Sequence, residues 1–267
     1  MTIQELYRLL DLPQEVVSRL NDEEATIPFP IDEAIMRRFY CRAATKEGLE
    51  ALQGVLGEDE DGMRQLCVLL HEALKTWDQY AQGGISKEIF AETMKFVPRF
   101  LNSEYAQTGM WRFRWSWWFW RQLSMAEYRV GCMEYELVEE NGERFVSLHI
   151  PSDADMSADA IDESFADFRA FLRRYEPEWT DVPWKCDSWL LSPALPHLLP
   201  EDSRILAFQR RFTIEKVNEE SLGVLNWVFP PHTEVTPDLP ENTSLQKRMK
   251  AWLLSGNKVG WTAGTLR

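Results

Sequence analysis

The sequence predicts an α+β chain: a helical N-terminal domain over residues 1–110, followed by a mixed-sheet α/β domain over residues 111–267 that ends in a helix and a tail. Three observations carry this. Apolar residues recur at helical spacing, i to i+3 and i+4, through the first hundred or so residues. Asn141-Gly142 separates two strand-like runs, as a two-residue hairpin turn would. A helical stretch then joins the second of these runs to another strand, and a crossover of that length makes the two strands parallel, with a right-handed connection.

In the first domain helices are expected over Ile3–Leu10, Glu15–Leu20, Ile31–Cys41, Lys46–Leu56, Gly62–Gln82 and Ser86–Tyr105. The fifth carries the clearest stripe, Leu66, Leu69, Leu70, Leu74 and Trp77. Gly83-Gly84 ends it and Ser86 is placed to cap the next. His71 stands alone, with no ligand-type partner at helical spacing, and reads as a core or solvated histidine. From Met110 to Arg121 tryptophan, phenylalanine and arginine interleave. Trp111, Phe113, Trp115 and Trp117 alternate as in a half-buried strand, whereas Trp117, Trp120, Arg121 and Ser124 suit a helix face. Packing at a domain interface, with arginine stacked on aromatic faces, accounts for this composition better than base stacking on nucleic acid.

In the second domain Tyr128–Glu139 and Arg144–Ile150 form the hairpin, and Pro151 ends it. The crossover helix spans Ser157–Tyr175, acidic at its start and basic at its end, with Pro177 stopping it. The parallel strand follows at Trp184–Leu191, then a proline-rich short helix at Ser192–Leu199 and strands at Phe208–Val217 and Leu222–Phe229. A helix over Ser244–Leu254 and a tail containing Gly256, Gly260 and Gly264 complete the chain.

Composition narrows the function. Of 267 residues 45% are hydrophobic and 27% charged, which is globular rather than disordered. A net charge of −14 opposes a nucleic-acid or anionic-membrane surface, so neither partner is expected. Cys41, Cys67, Cys132 and Cys186 form no CxxC pair and read as reduced thiols. No leader core or spanning run is visible, and a cytoplasmic protein is expected. His197 and His232 have no ligand partners at three or four spacing, so no metal is expected.

Ligands gather beyond the carboxyl ends of parallel strands. His149 and the run Cys186-Asp187-Ser188 lie there. A histidine that titrates near neutrality can remove a proton from an amine, and a thiol or hydroxyl can protonate a leaving thiolate, so His149, Cys186 and Ser188 are the candidate catalytic residues. A Cys-His nucleophile pair is the second possibility. Asp187 and Trp189 alternate to the face opposite Cys186, where packing and an arginine partner would explain them.

The segments His149-Ile150-Pro151, Cys186-Asp187-Ser188-Trp189-Leu190-Leu191, Phe208-Gln209-Arg210-Arg211-Phe212 and Leu239-Pro240-Glu241-Asn242-Thr243-Ser244-Leu245-Gln246 resemble a bacterial family of GNAT-like acyltransferases with a helical N-terminal domain. The resemblance covers most of the chain and implies a GNAT-like sheet. It also implies an acyl-CoA donor held between two splayed parallel strands, with Ile150 at its side, and a small-molecule amine as acceptor. GNAT enzymes wrap the donor's pyrophosphate in a glycine loop at the start of the crossover helix. Between Pro151 and Ile161 there is no glycine, and Asp153, Asp155, Asp159 and Asp162 stand there instead. The alternative function is a non-catalytic ligand- or protein-binding module on the same scaffold.

Overall fold

The computed structural model describes residues 1–267. The chain divides into two compact units, Met1–Val130 and Gly131–Arg267.

The first unit contains α1 (Ile3–Leu9), α2 (Gln14–Glu24), α3 (Glu33–Met36), α4 (Thr45–Leu56), α5 (Met63–Gln82), α6 (Lys87–Met94), α7 (Phe96–Thr108), α8 (Trp120–Leu123) and the strand β1 (Glu127–Val130). α1 and α2 pack on α5, burying Leu6, Leu20, Leu66, Leu69 and Leu70 completely. Thr2 and Glu5 close a capping box at the start of α1. The start of α5 is held by Asp59, which accepts from the backbone N–H of Arg64 at 3.0 Å and of Gln65 at 2.9 Å. Arg64 in turn donates to Glu23 at 2.6 Å and to Thr26 at 2.9 Å.

Three expectations for this unit change. The helix expected over Ile31–Cys41 is the single turn α3 followed by a 3-10 turn over Arg37–Tyr40. The single helix expected over Ser86–Tyr105 is broken at Lys95 into α6 and α7. Pro98 is the cause: its ring lacks an N–H and crowds the carbonyl four residues earlier, at Met94, so it is accommodated only in the first turn of a new helix. The segment Trp111–Trp118 is neither strand nor helix, and only Trp120–Leu123 completes a turn. It runs back along α7 with rings paired at successive turns. Trp111 stacks on Tyr105 at 4.1 Å, Trp115 stacks on Phe100 at 4.0 Å, and Phe119 meets Phe96 edge-on at 4.9 Å. The Arg121 guanidinium lies 3.8 Å from the Trp118 ring centroid.

The second unit contains β2 (Met133–Glu140), β3 (Glu143–His149), α9 (Ala158–Tyr175), β4 (Trp184–Ser188), α10 (Leu195–Leu198), α11 (Arg204–Gln209), β5 (Phe212–Asn218), α12 (Val224–Val228), α13 (Ser244–Leu254) and β6 (Trp261–Leu266). Its strands lie in the order β2-β3-β4-β6-β5. Asn141 and Gly142, at φ 55° and 80°, make the tight turn of the β2–β3 hairpin. β3 and β4 are parallel, and β6 pairs antiparallel with both β4 and β5. Tyr135, Phe165, Phe168 and Trp184 fill the space between the sheet and α9. Tyr135 stacks on Phe168 at 3.8 Å, a contact worth about 1 kcal/mol beyond the area it buries.

Several expected strands change. The one expected over Tyr128–Glu139 is interrupted after Val130, and β2 begins at Met133. Leu222–Phe229, expected as a strand, holds the helix α12, because Val224, Leu225, Val228 and Phe229 recur at helical spacing and are all buried. They join Leu195, Leu198, Met249 and Leu253 in a small core built by α10, α12 and α13. The final strand comes instead from the tail, β6, which is inserted between β4 and β5. The strand expected from Phe208 begins at Phe212, after α11. The parallel strand expected to Leu191 stops at Ser188, whose hydroxyl accepts from the N–H of Leu190 at 3.2 Å and turns the chain.

Candidate active site

β3 and β4 are paired only at Val146 with Trp184 and at Ser147 with Lys185. Both strands continue beyond these pairs, β3 to His149 and β4 to Ser188, with no further pairing between them. The parallel pair is therefore split at its carboxyl end. Pro151 keeps β3 from continuing past it, since it has no N–H to give to a ladder.

The register decides which side chains meet. Residues opposite one another in a sheet share a face. Leu148 pairs with Tyr135, and Trp184 pairs with Val146, so Cys186 and Ser188 belong to the face packed on α9. His149 pairs with Glu134 and lies with Ser147, Lys185 and Asp187 on the other face. The sequence-predicted set is thus divided: His149 on one face, Cys186 and Ser188 on the other. Cys186 is fully buried, and burial pushes its thiol well above the usual range, which keeps it protonated. Ser188 is buried and spends its oxygen on Leu190. Ile150 follows β3 at the lip of the split, half-buried.

His149 has a companion in this unit. Its Nε2 lies 2.9 Å from Oε2 of Glu136, one strand away on β2, and Glu136 is buried while a quarter of the imidazole remains exposed. A buried carboxylate fixes ring orientation and stabilises the imidazolium that forms when a proton arrives, which is the arrangement of a general base with its orienting acid.

On the same face lies a cleft of about 740 Å³, bordered by Asp187, Lys216, Asn218, Ser221, Trp227 and Trp261 among others. Asp187 is no packing residue: its carboxyl opens into the cleft. Burial raises its pKa from the ordinary aspartate value, while a hydrogen bond from Trp261 and the nearby Lys216 charge act in the opposite direction. Gly223 lets the start of α12 lie flat on the Trp261 indole, where a Cβ would come within 2.8 Å of the ring.

The acids around the start of α9 are answered by arginines. Arg204 sits 3.5 Å from Asp155, and Arg211 pairs with Asp162, holding that carboxyl below its ordinary pKa. Ser157 caps the helix through the N–H of Ala160 at 3.4 Å.

This strand order, with its one parallel pair in the second unit parting at the carboxyl end, is the fold of GNAT-type acyltransferases. Residues 81–266 match the model of the GNAT-like C-terminal domain and residues 1–125 that of the N-acyltransferase N-terminal domain, and the chain belongs to this GNAT-like acyltransferase family. Among solved structures it is similar to an acyltransferase in complex with decanoyl-CoA and teicoplanin, at 22% identity and a TM-score of 0.79 over 98% of this chain and 86% of that one. It is also similar to an acyltransferase mutant in complex with octanoyl-CoA, at 23% identity and a TM-score of 0.80 over 99% and 87% of the two chains. A third, an acyltransferase in complex with CoA and 10C-teicoplanin, aligns over 100% of this chain and 99% of that one at 20% identity and a TM-score of 0.72. At these identities the likeness shows the fold. No curated protein matches the sequence. No helix is long and apolar enough to cross a membrane.

Glu136 and Asp187 are the groups that reading the sequence for chemistry passed over. Glu136 had a signal. A two-residue turn at Asn141-Gly142 pairs Glu140 with Glu143, and counting back along both strands sets Glu134 opposite His149, with Glu136 diagonal to it. Asp187 had none, because the register of a parallel pair is set by how the crossover helix packs.

Proposed function

We propose that the protein is an acyl-CoA-dependent N-acyltransferase in which His149 is the general base and Glu136 orients it. The observation that carries this reading is the split between β3 and β4 with the His149–Glu136 pair at its end. The donor occupies the split, its acyl thioester beside His149 and its chain against the backbone at Ile150. The amine attacks the thioester carbonyl, its proton passes to His149, and the carbon–sulfur bond breaks as the amide forms. The departing sulfur takes up that proton from the imidazolium, directly or through solvent, so acyl-CoA and amine become amide and free CoA thiol and His149 is neutral again. An acyl-CoA donor is supported by the decanoyl- and octanoyl-CoA complexes of the similar acyltransferases. Without a glycine loop, the cations at the acidic start of α9 are Arg204 and Arg211, and a pyrophosphate there takes them from Asp155 and Asp162, with which they are paired.

Cys186 and Ser188 take no part in this scheme, because a buried, protonated thiol and a hydroxyl committed to the backbone lie on the face away from His149.

The test is calorimetry with CoA, acetyl-CoA and decanoyl-CoA, joined to an assay of thiol release in the presence of an amine panel. Saturable donor binding is expected, and His149→Ala lowers turnover by about a hundredfold while donor affinity holds. Absence of heat with all three donors ends the acyl-CoA reading. Binding without thiol release from any amine favours instead a ligand-binding module.

A further inference from the structure

The cleft over β4, β6 and β5 has a charge pattern that an amine acceptor alone does not explain. Asp187 pairs with Ala263 across β4 and β6, and Ala263 pairs with Lys216 across β6 and β5. The three residues therefore lie across one face of the sheet, with Lys216 directly after the bulge between Ile214 and Lys216. Read across the strands, the order is carboxylate, methyl, ammonium. Neighbouring strands lie about 4.8 Å apart, so Asp187 and Lys216 stand on the order of 10 Å apart at their backbones. The small Ala263 side chain leaves a trough between them.

Asp187 and Lys216 are the charged residues bordering the cleft, and they do not close into an ion pair with each other. A cleft with one anionic and one cationic end and no net charge is matched by a ligand of the same kind. A simple amine meets Asp187 favourably and Lys216 unfavourably, and a simple acid does the reverse. Trp227, which is 45% exposed, and Trp261 supply flat apolar walls, and Asn218 and Ser221 a polar rim.

We infer that this cleft takes an amino carboxylate as acceptor, an amino acid or short peptide with an apolar side chain, its amine held at Asp187 and its carboxylate at Lys216. The inference rests on the transfer reading above and adds the class of acceptor. Asp187 binds the acceptor as an ammonium, which gives one proton to solvent before the neutral amine attacks the thioester and passes its next proton to His149. Lys216 touches no reacting atom and determines specificity.

The experiment uses the intact protein with decanoyl-CoA, reads thiol release, and offers L-phenylalanine, leucylphenylalanine and the C-terminal amide of each. The free acids are expected to show kcat/KM at least tenfold above their amides. Lys216→Gln, a change at an exposed residue, is expected to erase that preference, and Asp187→Asn to raise KM for acids and amides alike. Equal use of acids and amides, a preference that survives Lys216→Gln, or neither binding nor turnover with any of the four overturns the inference. Calorimetry of the acceptors alone separates it from the reading beneath it. Binding of the free acids that Lys216→Gln abolishes, with no thiol release from any donor, keeps the cleft and removes the transferase. Thiol release to phenethylamine at the rate of L-phenylalanine keeps the transferase and removes the amino carboxylate.

Discussion

Glu136 touches no substrate in the proposed reaction, and it acts on the chemistry through the imidazole it holds at 2.9 Å. Glu136→Gln is therefore expected to lower kcat by about tenfold or more, with donor affinity unchanged by calorimetry, because a misdirected base loses the geometry of attack. An unchanged kcat would remove Glu136 from the mechanism. Cys186→Ala gives the opposite pattern: turnover persists, and the urea midpoint falls by an amount equivalent to roughly 1 kcal/mol for the small cavity left behind α9. Loss of turnover in folded Cys186→Ala would revive a thiol nucleophile. His149 was legible as a candidate because its residue type and strand-end position are both local facts. The division between His149 and Cys186 was not, because it depends on the register of two strands separated by a helix of 18 residues. His71 shows the other outcome: it was read as structural, and it lies half-buried 3.3 Å from Glu24 with its ring against Phe29.

Elements whose signals are local were read well, and those held by distant neighbours were not. α5 and α9 announce themselves by a long apolar stripe, and the β2–β3 hairpin by its turn. β6 has no such signal: Trp261-Thr-Ala-Gly-Thr-Leu266 is short, small and glycine-containing, and it is a strand because β4 and β5 offer it ladders on both sides. Gly264 is required there, since a Cβ would come 2.9 Å from the Thr213 carbonyl and 3.3 Å from Leu191. Gly264→Val is accordingly expected to cost more than about 2 kcal/mol, read as a lowered denaturant midpoint. A midpoint within error of wild type would show that β5 and β6 can move apart at no cost. Gly62 poses a stricter case in the first unit, at φ 72° with a Cβ that would fall 2.0 Å from the Phe113 carbonyl. Gly62→Ala must displace either the start of α5 or the aromatic segment stitched to it by the Phe113 N–H to Asp61 bond of 2.7 Å.

For the whole chain, burial of His71 gives stability a dependence on pH. Burial lowers its pKa from the ordinary value of 6.5, with the Glu24 charge opposing the shift. Below 6.5 the unfolded chain binds the proton more readily than the folded one, so this contribution is present above that pH and is lost as pH falls through the window beneath it. The thermal midpoint of the wild type should fall further between pH 8 and pH 5 than that of His71→Gln, and parallel curves would show that the site is neutral to folding. The strand order has a consequence for biosynthesis. β6 is the last strand in the chain yet lies inside the sheet. On the ribosome β4 therefore waits with an open edge, a ready template for a strand of another nascent chain, until residues 261–266 emerge to fill it.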